Sequence, residues 1–193
     1  MDDPLLDYGF LMDDLVSGPE LEVRAARLAD GDSVGDCHAE AWRVAYADLF
    51  PAEFLERAAE DRRERTGSEL AAMLVAENEP TLSDGSILLV VEADAAVVGF
   101  AHCGCEPVPR QQEIYAFYVH PRSWGTGAAQ AMWDETVERL STRSTAPIVL
   151  WTLAGAARAR RFYERNGWML TGCTELRDFG DGNQSHLVQY RSA

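Results

Sequence analysis

The segment Pro121-Arg122-Ser123-Trp124-Gly125-Thr126-Gly127-Ala128-Ala129 has the composition of a phosphate cradle. Two glycines let a backbone curl closely around a ligand, while the first free N–H groups and the positive dipole end of a following helix attract an anion. Small Ala128 and Ala129 are expected to keep that approach open. The elements that must position such a loop flank it: the apolar run Ile114 to Val119 reads as a strand, and Gln130 to Leu140 as a helix.

Several phosphate binders share a strand, glycine loop and helix, and the residue types separate them. A Walker loop ends in Gly-Lys-Ser/Thr, and this chain contains no lysine at all. A dinucleotide fingerprint would read Gly125-Thr126-Gly127-Ala128-Ala129-Gln130, with Gln where the third small residue belongs and no acid closing the next strand, Ile148 to Leu153.

The loop closely resembles the acyl-CoA pyrophosphate loop of the GNAT acetyltransferases, Arg/Gln-x-x-Gly-x-Gly/Ala after a strand ending in Val-x-Pro. Val119-His120-Pro121 supplies the strand end, and the loop matches except at its first motif position, where Trp124 stands. That departure removes one polar contact, which Arg122 is placed in sequence to replace. A second stretch, Ala159-Arg160-Arg161-Phe162-Tyr163-Glu164-Arg165-Asn166-Gly167-Trp168, is similar to the family's Ala-x-x-Phe-Tyr-x-x-x-Gly-Phe helix. Ala156 occupies the place where the family usually has Asn, and Gly167 reads as a helix C-cap. His38 to Tyr46 resembles the first helix of many members, so the similarity spans roughly residues 22 to 191.

The resemblance implies a GNAT fold, an α/β arrangement with a mixed, mostly antiparallel sheet and helices on both faces. It implies acetyl-CoA as co-substrate, with the loop amides of Gly125, Thr126, Gly127, Ala128 and Ala129 on the pyrophosphate. Ala156 would border the same site. The strand Glu113 to Val119 would splay from Ile148 to Leu153 to admit the pantetheine arm, with N–H groups near Phe117, Tyr118 and Val119 facing the thioester oxygen. Tyr163 matches the position of the general acid for the CoA sulfur, and a phenol remains protonated at neutral pH.

Glu113 opens the same strand and, two and four residues before Tyr115 and Phe117, is expected to share their face. It reads either as the acceptor of the amine's proton or as a solvated strand-end carboxylate. Tyr115 reads as a pocket wall or as core. Trp42, Tyr46 and Phe50 lie near the end of the first helix, which in the family forms part of the acceptor wall, and core packing is the alternative. His38 and His120 read as structural, Trp133 and Trp151 as core.

The 193 residues suit one domain with a full core, and 47% hydrophobic residues are ordinary for a globular chain. Residues 1–20 form an acidic extension, in which Leu5, Leu6, Phe10, Leu11, Leu15 and Val16 sit among aspartates, and residues 21–193 form the domain. The extension reads as a loosely docked segment or as a homodimer or partner contact. Without an apolar run of roughly 20 residues or a positively flanked leader, no membrane association and a cytoplasmic location are expected. The net charge of −15 argues against nucleic acid and is compatible with a cationic acceptor. Seven of the acids lie in residues 1–22, leaving 25 acids against 17 bases beyond.

Four scattered cysteines read as reduced thiols, and His102-Cys103-x-Cys105 lacks the second ligand pair of a metal site. Along the domain, Leu21 to Leu28 reads as a strand, Asp30 and Ser33 as helix caps, and Ala52 to Asn78 as one or two helices. Ile87 to Glu92 and Ala96 to Cys103 read as a hairpin around Ala93-Asp94-Ala95, and Gln184 to Gln189 as the last strand. The expected activity is transfer of an acetyl group from acetyl-CoA to a small-molecule or protein amine by direct attack. The alternatives are an acyl-CoA-binding regulatory module with impaired catalysis and a transferase of a bulkier acyl group.

Overall fold

The computed structural model describes residues 18–73, 81–82, 84–105 and 111–192. Residues 1–17 of the acidic extension, the end of the expected second helix and the Pro107-Val108-Pro109 loop lie outside the described residues. The elements run β1 (Leu21–Ala25), α1 (Gly31–Ala45), α2 (Ala52–Met73), β2 (Ile87–Ala93), β3 (Ala96–Cys105), β4 (Gln112–Val119), α3 (Ala128–Arg143), β5 (Ile148–Leu153), α4 (Ala157–Arg165), β6 (Met169–Asp178) and β7 (Gln184–Arg191).

Seven strands form one sheet in the order β1-β2-β3-β4-β5-β7-β6. Every neighbouring pair is antiparallel except β4 and β5, which the α3 crossover makes parallel. Helices cover both faces, which is why β2 is buried continuously from Ile87 to Val91 instead of alternating. On one face Val34 and Cys37 of α1 pack on Leu88, Val90 and Phe100. On the other, Trp133 of α3 meets the rings of Phe117, Phe162, Tyr163 and Trp168 at centroid distances of 4.9 to 5.5 Å, tying β4, α3 and α4 together.

One local expectation differs. Asp30 precedes α1 but makes no side-chain cap bond. Its carboxylate instead accepts from Arg24 at 2.7 and 2.9 Å and from the Arg27 N–H at 2.7 Å, because a nearby guanidinium outcompetes the helix amides. Cys103 is buried in the core beside Ile114, while His102, on the opposite face, is bonded through Nε2 to Ser86 Oγ at 2.9 Å, so adjacent strand residues diverge as the pleat requires. Cys37, Cys103 and Cys173 are free thiols. Among the described residues no helix is long and apolar enough to cross a membrane.

A β-bulge interrupts β4. Cys103 faces Ile114 and His102 faces Ala116, so Tyr115 is the extra residue inserted between these two register pairs. The extra residue reverses the alternation, so Ile114 and Phe117, three apart, both face the α3 side.

The paired helices α1 and α2 wall one side of the open region beyond this bulge, and they touch closely at Gly35. A Cβ built there would lie 2.5 Å from the Arg63 carbonyl oxygen. Gly35→Ala is therefore expected to destabilise the fold by about 1–3 kcal/mol, read as a lower urea midpoint at an unchanged slope.

Candidate active site

The parallel pair β4–β5 holds for only three residue pairs, Gln112 with Ile148, Glu113 with Val149 and Ile114 with Leu150. Beyond them the strands part at the bulge, and a cleft of about 580 Å³ opens between Tyr115–Val119 and Leu150–Thr152. Beyond Ile114 the β5-facing edge of β4 is no longer laddered to β5. Backbone groups on such an edge need a ligand or water to satisfy them.

The glycine loop closes one end of the cleft. Gly125 and Gly127 adopt φ of +86° and +96°, a backbone region that disfavours other residues, and Gly127 is the residue preceding α3. Nothing lies within 4 Å of a Cβ built on Gly125, so the space above the loop is open. The N–H groups of Gly125, Gly127, Ala129 and Gln130 donate to no acceptor among the described residues. These amides, at the N-terminus of a 16-residue helix, form an anion-binding surface.

Trp124 has a structural explanation. Its indole N–H donates to the Val119 carbonyl at 2.8 Å, pinning the loop to the end of β4, and its ring carries the Arg158 guanidinium 4.0 Å from the centroid. Arg158, Arg161 and Arg165 all border the cleft. Their spacing of three and four residues places them on one face of α4.

Three phenols lie together at the inner end. Tyr163 is 7% exposed, and burial, with Tyr118 and Tyr190 nearby, pushes its hydroxyl well above the ordinary tyrosine range. Burial, with Tyr118 and Tyr163 nearby, also pushes the Tyr46 hydroxyl well above the ordinary range. The Tyr118 oxygen accepts from Trp42 Nε1 at 3.2 Å. Tyr163 and Tyr46 thus remain neutral donors throughout the physiological range. No Asp, Glu, His or Cys borders the cleft among the described residues.

A family model described as "Acetyltransferase (GNAT) family" matches residues 39–168, two-thirds of the chain and nearly all the elements around the cleft. The chain belongs to the GNAT acetyltransferase family. It is an N-acyltransferase, and acetyl-CoA is its donor. The fold is similar to that of the PaiA N-acetyltransferase from Thermoplasma acidophilum solved with coenzyme A (17% identity, 88% of this chain, 98% of that one, TM-score 0.68). It is also similar to a ribosomal-protein-alanine N-acetyltransferase from Brucella melitensis (20%, 89% and 98%, TM-score 0.60) and to YncA, a putative acetyltransferase from Salmonella typhimurium solved with acetyl-CoA (16%, 89% and 92%, TM-score 0.58). No curated protein matches the sequence.

In this GNAT domain most residues singled out from sequence come together. Phe117, Tyr118, Val119, Trp124, Gly125 and Gly127 border the cleft, as do Ala129, Ala156, Tyr163, Tyr46 and Tyr115. Several do not. Ala128 is fully buried beneath the loop, packed with Met132 and Val91, and Thr126 turns its hydroxyl back to the Ser123 carbonyl at 2.9 Å. Arg122 is exposed and lies off the cleft lining, whereas three arginines of α4 border it. Trp42 and Phe50, stacked at 5.6 Å, are buried behind Tyr46 and back the wall without lining it.

Glu113 is the main correction. The bulge at Tyr115 removes the shared face expected with Phe117, and Glu113 sits where β4 is still paired to both neighbours, outside the cleft lining. Trp151, expected in the core, is half-buried and borders the cleft. The three arginines of α4 escaped the sequence argument, although their spacing was a readable signal.

His38 supports this wall, its Nδ1 bonded to Thr66 Oγ1 at 2.8 Å and its ring 4.5 Å from that of Tyr118. Burial, aided by the charge of Arg62, pulls its pKa from 6.5 down to about 3. A depressed pKa gives stability that is present above 6.5 and lost as pH falls toward the folded value. His38→Asn should therefore flatten the decline of the urea midpoint between pH 6.5 and 3. The slope that remains belongs in part to His102 and His120, which burial also holds down.

Proposed function

We propose that this enzyme binds acetyl-CoA and a primary amine together and that the amine attacks the thioester directly. The observation that carries this is Tyr163, a buried, protonated phenol in a cleft without a cysteine or imidazole among its described lining residues. The loop amides of Gly125, Gly127 and Ala129 receive the pyrophosphate, with Arg158, Arg161 and Arg165 around it. The pantetheine arm replaces the missing β5 partner along Phe117 to Val119, and a β4 N–H donates to the thioester oxygen as it gains charge.

The acceptor lies against Tyr46, Tyr115, Tyr118 and Trp151. It loses one proton to water, its nitrogen forms the new C–N bond, and collapse of the tetrahedral intermediate breaks the C–S bond. Tyr163 gives its proton to the departing thiolate and recovers one from solvent. A covalent acyl-enzyme has no support, since Cys37 and Cys103 are buried in the core and Cys173 lies on β6.

Turnover of an amine panel with acetyl-CoA tests the proposal. Tyr163→Phe should reduce kcat by about a hundred-fold or more while calorimetry shows acetyl-CoA affinity nearly unchanged; full activity would remove Tyr163 from the mechanism. Replacing Arg158 and Arg161 together by Ala should weaken acetyl-CoA binding by about ten-fold or more and reduce its salt dependence. Unchanged affinity would move the phosphate contacts elsewhere.

A further inference from the structure

Arg62 differs from Arg63 and Arg65 of its helix. Arg63 pairs with Asp36, Glu40 and Glu60, and Arg65 with Asp61. Arg62 is within ion-pair distance of no carboxylate among the described residues. Its guanidinium lies over the Trp42 ring, 3.4 Å from the centroid, and Nη1 donates to the Ala58 carbonyl at 2.9 Å. Its Nε is buried without an acceptor. A half-buried guanidinium with a buried, unbonded Nε gains from a negative charge placed nearby.

The position of this charge indicates what that is. Trp42 bonds the Tyr118 hydroxyl, and Arg62 acts electrostatically on both Tyr118 and Tyr46, the two phenols of the inner cleft wall. Tyr163 borders the same cleft as these phenols and acts electrostatically on Tyr46. An acceptor whose nitrogen is near the thioester therefore meets, beyond it, two hydroxyl donors backed by a cation. The described cleft lining adds three further arginines and no carboxylate, so the local field is positive although the chain as a whole carries −15. A polycationic acceptor is disfavoured there, whatever the far field does to its approach.

We propose that the acceptor is an amino acid, its carboxylate held by the Tyr46 and Tyr118 hydroxyls in the field of Arg62 while its amine faces the thioester. The carboxylate supplies the counter-charge that Arg62 lacks, and the cation–π contact with Trp42 holds the guanidinium in place behind the phenols. This rests on the acetyl-transfer function proposed above, and names the substrate class of the same site.

The test compares amino acids with their amides and with the corresponding amines lacking the carboxylate, using the full chain and acetyl-CoA. The expected result is a kcat/KM at least about ten-fold higher for the acids, carried by KM. In Arg62→Gln the ratio of acid to amide should fall toward one, and Arg62→Lys should recover part of it. Should Arg62→Gln fail to fold, inhibition of the unaltered enzyme gives the same answer: an N-acetyl amino acid should inhibit more tightly than its amide, competitively with the acceptor. Acetylation of amides and simple amines as well as acids, or equal inhibition, would overturn the carboxylate site alone. Binding of acetyl-CoA with no turnover of any amine would overturn the acetyl-transfer function itself.

Discussion

The interruption of pairing between β4 and β5 is the constraint on which the rest of the site depends. Two parallel strands joined for only three residue pairs must either rejoin or leave backbone groups exposed to something else. The bulge at Tyr115 decides between these, because an added residue bends the strand and displaces its register. The sheet remains continuous on both sides: β3 follows β4 through the bulge, and β7 holds β5 along its length. The cleft is thus a local opening inside a well-paired sheet, held wide by Trp133 and its ring neighbours on one face and by α1 and α2 on the other.

Charge is distributed against the average of the molecule. A chain with 32 acids and 17 bases directs four arginines toward the cleft and its inner wall and no carboxylate to the described lining. Two of these arginines rest on tryptophans, Arg158 on Trp124 and Arg62 on Trp42. A flat aromatic face steadies a guanidinium without neutralising it, so its charge remains available to a ligand. Trp124, a departure when set against the family's loop pattern, becomes intelligible in this way. It exchanges a polar contact of its own for an arginine that it presents.

Much of the site was legible because its signals are local. The glycine loop needs positive φ at Gly125 and Gly127, and the sequence places glycine at both. Phe162-Tyr163 lies on a short helix capped by Gly167, so the phenol's position follows from spacing within one element. Glu113 shows where local inference stops. Strict alternation along a strand would put it beside Phe117, but one inserted residue reverses the faces, and no feature of Ile114-Tyr115-Ala116 announces a bulge. Arg62 illustrates the same limit: among the charged residues of α2 it looks like one more solvated side chain, and only the packing of α1 against α2 sets it on Trp42.

The sequence by itself determined the family, the order of the elements, the glycine loop before α3 and the place of Tyr163 on α4, since each depends on conformations and spacings spanning a few neighbouring residues. Tertiary structure alone decided how far β4 and β5 stay joined, which face Glu113 takes, that the arginines of α4 and not Arg122 border the cleft, and that Arg62 lacks a carboxylate partner among the described residues. Those outcomes arise from contacts between residues tens of positions apart. Their energies depend on register, burial and the competition among partners, none of which is fixed by the identity of the residues concerned.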